Sequence, residues 1–425
     1  MKPSPRIILA IMTIVLVSLA CRVDIQLTDE PPTFTPIQQE LSENPPTEYP
    51  TVHPTITAQP PTVEPETAAS PWAPAGFLAA MDDGNQVNVF NTQGQLTGSI
   101  QTPGMNFYNQ GGVHVAGDSP GGVVDDPALF LSYADNFAVR MNAGGEITNL
   151  VQDQNLSYMV GAPGSTAFVY TIAQWNGEAL VSYLKARTVA GGGASYDMER
   201  TDPQSYAVQP LAVQASDSEP HGVWFSLMPY GIGGDIVFAP RRSLYYLDIQ
   251  AGGTENLYLS EDYNPQGMSP DLTWVAYIPL QANFEEGTTP LTLYNLYSTQ
   301  RVEIPLRPGS NRGAGNAVFS PDNQYVAWME GSGWMMAETP NFHSRVLIAD
   351  INGNILADLP DSAVAAVTGT PQATWVQPVG WLDAETVIIE VRGDNWNKPT
   401  LVSVRFDGSN MNVLTNGVFS GFIYP

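Results

Sequence analysis

The sequence predicts an all-β fold, with a body of repeated four-stranded sheets behind a signal peptide and a long linker. Three observations predict it. Only 14% of the 425 residues are charged, while Gly (38), Pro (36), Tyr (18) and Trp (9) are plentiful, a balance that favours short strands and tight turns over long helices. A strand–turn–strand signature recurs from Gly76 to the C-terminus at a period of roughly 50 residues. One ten-residue pattern occurs twice, 51 residues apart. Radial repetition of four-stranded units of about this length makes a β-propeller.

The N-terminus comes first in the chain. Residues 1–6 carry Lys2 and Arg6, and residues 7–19 (IILAIMTIVLVSL) are an unbroken apolar run. Such a run fits the core of a signal peptide and falls short of the ~20 residues that span a bilayer. Small residues Ser18 and Ala20 flank Leu19, and Cys21, the single cysteine, follows. One cysteine makes no internal disulfide. This segment resembles the bacterial lipobox, although Ser18 stands where that motif prefers Leu. The resemblance implies cleavage after residue 20 and a diacylglycerol on the Cys21 thiol, hence attachment to the outer side of the cell membrane through acyl chains. The expected location is extracytoplasmic, in the cell envelope.

Residues 21–74 are the expected linker. Between Pro31 and Pro74 lie 12 Pro and 8 Thr, and the sequence has no Lys or Arg from Val23 to Val139. Proline favours polyproline II and removes backbone donors, so this stretch builds no core. At ~3.1 Å per residue its reach is about 136 Å.

The body is expected over 75–425. The clearest repeat pairs Met268-Ser269-Pro270-Asp271-Leu272-Thr273-Trp274-Val275-Ala276-Tyr277 with Phe319-Ser320-Pro321-Asp322-Asn323-Gln324-Tyr325-Val326-Ala327-Trp328. Ser-Pro-Asp makes a tight turn, since Pro fixes φ and the flanking oxygens bond nearby backbone. Weaker copies begin at Ala162 and Trp381. A hairpin follows each turn, at 87–96, 137–147, 244–257, 291–304, 346–356 and 401–414, with a degenerate unit near 180–213. These make seven units. The first, Phe77–Ile100, holds only three strands, and the C-terminal Gly417–Phe422 is expected to supply its missing inner strand, which would remove an exposed edge. The turn and hairpin together resemble the PD40 repeat of TolB-like propellers and, by extension, the propeller of prolyl-oligopeptidase relatives. The resemblance covers 76–425 but fails in the second unit, which has no Ser-Pro-Asp. The hydrolase domain that follows the propeller in those peptidases has no counterpart before Pro425.

Charge and motifs narrow the function. The net charge is −26, and loss of Lys2 and Arg6 with the signal peptide leaves 14 basic against 42 acidic residues, or −28. That surface repels nucleic acid and anionic headgroups. Gly117-Asp118-Ser119-Pro120-Gly121 fits the spacing of a nucleophile elbow, but no helical pattern follows it, so it reads as a loop. The four His are scattered (His53, His114, His221, His343) and imply no metal centre. Two carboxylate groupings, Asp82-Asp83-Asn85 and Asp118 with Asp125-Asp126, offer oxygens that could hold Ca²⁺, but neither matches a defined loop and both read rather as solvated turns. No cofactor and no catalytic residue is expected.

In a propeller, the links from second to third strand gather on one face, beside the blade-to-blade connections. Several of these links carry aromatics, which makes Trp175, Phe284, Trp334 and Trp396 the ligand-binding candidates. The expected function is a surface-anchored binding propeller that contacts an envelope protein or an extracellular polymer. The rival is an extracytoplasmic enzyme acting on glycans, with carboxylates such as Glu285 and Asp394 at the mouth of the ring.

Overall fold

The computed structural model describes residues 73–81, 86–101, 107–108, 128–132, 137–141, 147–162, 167–189, 191, 195–216, 219–230, 238, 240–280, 288–308, 312–332, 342–393 and 399–423. Cys21 and the linker lie outside them. Among the described residues the strands form seven sheets.

Blade one holds β1 (Gly76–Ala80), β2 (Gln86–Asn91) and β3 (Leu96–Gln101). Blade two holds β4 (Phe107–Tyr108), β5 (Ala128–Ser132), β6 (Phe137–Met141) and β7 (Ile147–Gln152). Blade three holds β8 (Leu156–Gly161), β9 (Ala167–Trp175), β10 (Leu180–Thr188) and β11 (Tyr196–Asp202). Blade four holds β12 (Tyr206–Ser216), β13 (Glu219–Pro229), β14 (Arg242–Asp248) and β15 (Thr254–Leu259). Blade five holds β16 (Tyr263–Met268), β17 (Trp274–Pro279), β19 (Leu291–Asn295) and β20 (Arg301–Ile304), with the two-residue β18 (Thr288–Thr289) before β19. Blade six holds β21 (Arg312–Phe319), β22 (Tyr325–Ser332), β23 (His343–Asp350) and β24 (Ile355–Pro360). The helix α1 (Asp361–Thr368) leads to blade seven, with β25 (Trp375–Trp381), β26 (Thr386–Arg392), β27 (Thr400–Arg405) and β28 (Asn412–Asn416). The last strand, β29 (Val418–Ile423), returns to blade one.

The four strands of each blade pair antiparallel, and the order β29-β1-β2-β3 gives blade one its fourth strand. Phe77 faces Phe422 and Ala80 faces Val418 across that pair. The expected closure is therefore present. Two details differ from the sequence reading. The hairpin of the degenerate unit is β10–β11 and ends at Asp202, while residues 206–216 form the first strand of the next blade. Blade six gains a fifth strand, because β18 pairs in parallel with the start of β21.

The core lies between blades. Phe225, Leu227, Leu184 and Val208 pack blades three and four together, Trp224 and Tyr277 join four to five, and Trp328 and Ile278 join five to six. Val346, Val364 and Ile389 join six to seven across α1, and Phe77, Phe419 and Leu401 join seven to one. Leu150 packs on Leu156 and Phe168 between two and three, and β5 lies against both β8 and β29. Every neighbouring pair is thus in contact around a ring.

The Ser-Pro-Asp turns explain their own recurrence. Ser320 Oγ donates to Asp322 Oδ1 (2.6 Å) and accepts from the Tyr325 N–H (3.0 Å), and Asp322 Oδ1 accepts from the Gln324 N–H (3.1 Å). Ser269, Asp271, Thr273 and Trp274 repeat these bonds at 2.6, 3.0 and 2.9 Å. Both serines are fully buried, and the turn joins the first strand of each blade to the second.

Candidate functional site

The first strand of a blade lies at the inner edge of its sheet (in blade six β18 covers its start), and its spare N–H groups need acceptors. In four blades the preceding blade supplies one. Ser182 Oγ accepts from Val208 N (3.2 Å), Gln266 Oε1 from Asn316 N (3.1 Å), Ser344 Oγ from Val376 N (2.6 Å) and Glu390 Oε2 from Phe419 N (3.3 Å). The side chains extend the chain of bonds. Asn316 Nδ2 donates to Gln377 Oε1 (3.4 Å), and Gln377 Nε2 donates to Glu390 Oε1 (3.2 Å), which also takes Arg392 Nε (2.7 Å). A polar belt therefore links the inner strands of blades five, six, seven and one.

The belt exists because the inner strands bulge. Relative to its partner, the first strand has one residue too many at Ser157, Leu211, Gln266, Val379 and Ser420, and again at Asn316–Ala317. A bulge turns side chains out of the regular alternation. Ser420 Oγ accepts the Ala80 N–H that the bulge leaves unmatched (3.0 Å). Three of these strands carry an amide followed by proline, Gln209-Pro210, Asn264-Pro265 and Gln377-Pro378. Proline lacks a ladder donor and is confined to edges and bulges. That dipeptide was the sequence signal for the inner strands, and the sequence reading missed it.

The candidate face is the one where the second-to-third-strand links and the blade-to-blade connections emerge. On the side of blades six and seven an aromatic cluster is buried: Phe238, Met329, Phe342 and Trp375 pack together. Gly315 is required there, since a Cβ on it would enter the Phe238 ring. Glu330, also buried, meets Arg312 at 2.7 Å and accepts from Arg307 N at 3.1 Å. Nearby, His343 Nδ1 lies 2.6 Å from Asp361 Oδ2 at the start of α1.

At blades three and four the face is different. Arg241 Nε donates to Gln209 Oε1 (2.8 Å), and burial lowers the guanidinium to about 10, with Tyr158 opposing. Burial pushes the Tyr158 phenol up to about 12, which Arg241 moderates and Tyr230 reinforces. Tyr230 is anchored by its N–H to Ser205 O (2.8 Å), and its Oη reaches Ala173 O (3.4 Å). Ala173 and Trp175 lie on the same side of β9, by strand alternation. Trp175 ends that strand at the mouth, 54% exposed, and Tyr230 is 39% exposed. The hairpin after Trp175 is fixed by Asn176 Oδ1, which accepts from Glu178 N (3.0 Å) and Ala179 N (2.9 Å).

Of the sequence-predicted residues, Trp175 is on this face and solvent-exposed. Phe284, Trp334 and Trp396 lie outside the described residues, as do Glu285, Asp394, the Gly117–Gly121 segment and the two carboxylate groupings. Tyr230, Tyr158, Arg241 and Gln209 escaped the sequence reading.

The arrangement defines a seven-bladed β-propeller with a polar channel wall and an aromatic mouth. No protein-family model matches the chain, and no curated protein matches it in sequence. Solved structures do match in fold. A prolyl endopeptidase structure is 8% identical with a TM-score of 0.50, covering 82% of this chain and 50% of that one. A protein assigned as TolB from Agrobacterium tumefaciens is 13% identical with a TM-score of 0.39, over 68% of this chain and 90% of that one. An oligogalacturonate lyase in complex with manganese is 10% identical at 0.46, over 79% and 83%. The seven sheets of the chain itself establish the β-propeller, and at these identities the likeness to the solved structures is one of fold alone.

Proposed function

We propose that this chain is a non-catalytic binding propeller, tethered to the outer side of the cell membrane by a lipid on Cys21, whose mouth face contacts an envelope protein or an extracellular polymer. The observation that carries this reading is Trp175, held in the open on that face by a hairpin its own neighbour locks. A rigid aromatic presented to solvent loses little conformational freedom on binding. The buried carboxylates near the channel add support. Glu330 and Glu390 each hold an arginine and a backbone N–H, roles that fix the ring.

A photo-crosslinking side chain at Glu178, on the mouth face, tests the reading in intact cells, with Asn352 on the opposite face as the control. A discrete adduct from position 178 and none from position 352 is expected. Equal labelling from both faces overturns it. In the same cells Cys21→Ser is expected to move the protein from the membrane to the soluble fraction; retention in washed membranes overturns the tether.

A further inference from the structure

We propose that the Trp175–Tyr230 shelf receives a basic segment of a partner protein, with a Lys or Arg side chain stacked on the exposed rings and Glu178 beside it. This rests on the binding reading above and names the chemistry of the partner.

The first argument is how this chain treats its own cations. Guanidinium groups lie over aromatic rings repeatedly: Arg242 over Tyr206 (4.0 Å), Arg200 over Tyr245 (4.9 Å), Arg405 over Phe406 (5.1 Å) and Arg301 over Tyr294 (5.4 Å). Such contacts come from the attraction of a cation to the ring face, strongest for Trp. Trp175 and Tyr230 offer the same chemistry with their surfaces open to solvent.

The second argument is charge. The chain has 42 acidic and 16 basic residues. In blades three and four most cations are paired internally: Arg242 is near Glu261 (3.8 Å), Arg200 bonds Glu255 (2.9 Å), and, toward the opposite end of β10, Lys185 and Arg187 share Asp197 (3.6 and 2.6 Å), while the buried Arg241 bonds Gln209 (2.8 Å). Glu178 is exposed on the hairpin that presents Trp175. The net negative charge of the chain and the exposed Glu178 disfavour an approaching anion and favour a cation.

The third argument is fit. The two aromatics come from adjacent blades, and both are tied to backbone: Tyr230 through Ser205 and Ala173, Trp175 through the Asn176-locked turn. Tyr230 Oη reaches the carbonyl of Ala173, two residues before Trp175, so the two aromatics are joined across the boundary between blades three and four.

The test uses the full-length protein and a fluorescein-labelled nona-arginine peptide, read by anisotropy at physiological salt. Trp175→Ala is expected to weaken binding about tenfold, with an unchanged melting temperature, and Trp175→Phe to restore part of it. Glu178→Gln is expected to weaken binding several-fold and to flatten its salt dependence. Asp407→Asn, an exposed acid on the opposite face, serves as the charge control and is expected to leave binding unchanged. Equal losses from Glu178→Gln and Asp407→Asn, with none from Trp175→Ala, mean diffuse electrostatics and overturn the proposal. Competition by a neutral dextran points to a glycan instead and also overturns it. An adduct from a photo-crosslinker at position 178 in cells together with no peptide binding by the parental protein overturns this proposal alone and leaves the binding reading standing.

Discussion

Glu390 sits in the second strand of blade seven and answers three donors, Arg392, Gln377 and the Phe419 backbone. Its side chain is 2% exposed, so removal leaves a guanidinium and an N–H without their acceptor in a place water reaches poorly. Glu390→Ala is expected to cost about 3–5 kcal/mol in urea unfolding. Glu390→Gln, which keeps one acceptor, is expected to cost about 1–3 kcal/mol. Equal and small losses for both would show that the belt does not hold the ring. Little of this was legible in the sequence. Glu390 lies within TVIIEVR, which reads as an ordinary buried strand, and its partner Phe419 is 29 residues further on, in a strand whose place depends on closure. Trp175 was legible because an aromatic beside Asn-Gly advertises a turn. Tyr230 was not, because it follows the continuous apolar strand Glu219–Pro229.

At the scale of elements, legibility follows sequence distance. The Ser-Pro-Asp turn makes the bonds that its two copies share within six residues, so its chemistry stands in the sequence itself, and blades five and six were found from it. The inner-strand bulge is equally regular, but its purpose appears only when the neighbouring blade is in place. Blade two lacks the turn, which is why its limits could not be read. The two turns also touch, since Asp271 N donates to Asn323 Oδ1 (3.4 Å). Ser269→Ala and Ser320→Ala each strip the acceptor from a strand N–H, and each is expected to lose about 1–3 kcal/mol in thermal or urea unfolding. Ser298→Ala, in an exposed hairpin turn, is expected to stay within about 0.5 kcal/mol. Losses no larger than the Ser298 control would mean that water replaces the hydroxyl.

For the whole molecule, stability depends on one joint. Blade one borrows β29, and Phe419 and Phe422 from that strand pack with Phe77, Phe90 and Ile388. The Phe422 ring occupies the space where a Cβ on Gly380 would stand, and Gly380 has a φ of +156°. Deleting residues 416–425 is expected to uncover the edge of β1, abolish cooperative unfolding and cause aggregation in size-exclusion chromatography. A monomeric truncation with the parental melting curve would show that blade one is complete without the strand. The global plan was readable because the missing strand of blade one and the surplus strand at the C-terminus were both visible.

The same joint sets a clock. Ala80 and Ser420, which share a hydrogen bond, are separated by 340 residues. A ribosome adding ~5–20 residues per second needs roughly 17–70 s to go from one to the other. For that interval the first sheet exists with an unfilled side, and no amount of local stability in the intervening blades shortens the wait. The ring therefore reaches its native state in one late event, and the period of greatest exposure to misassembly is the wait for β29.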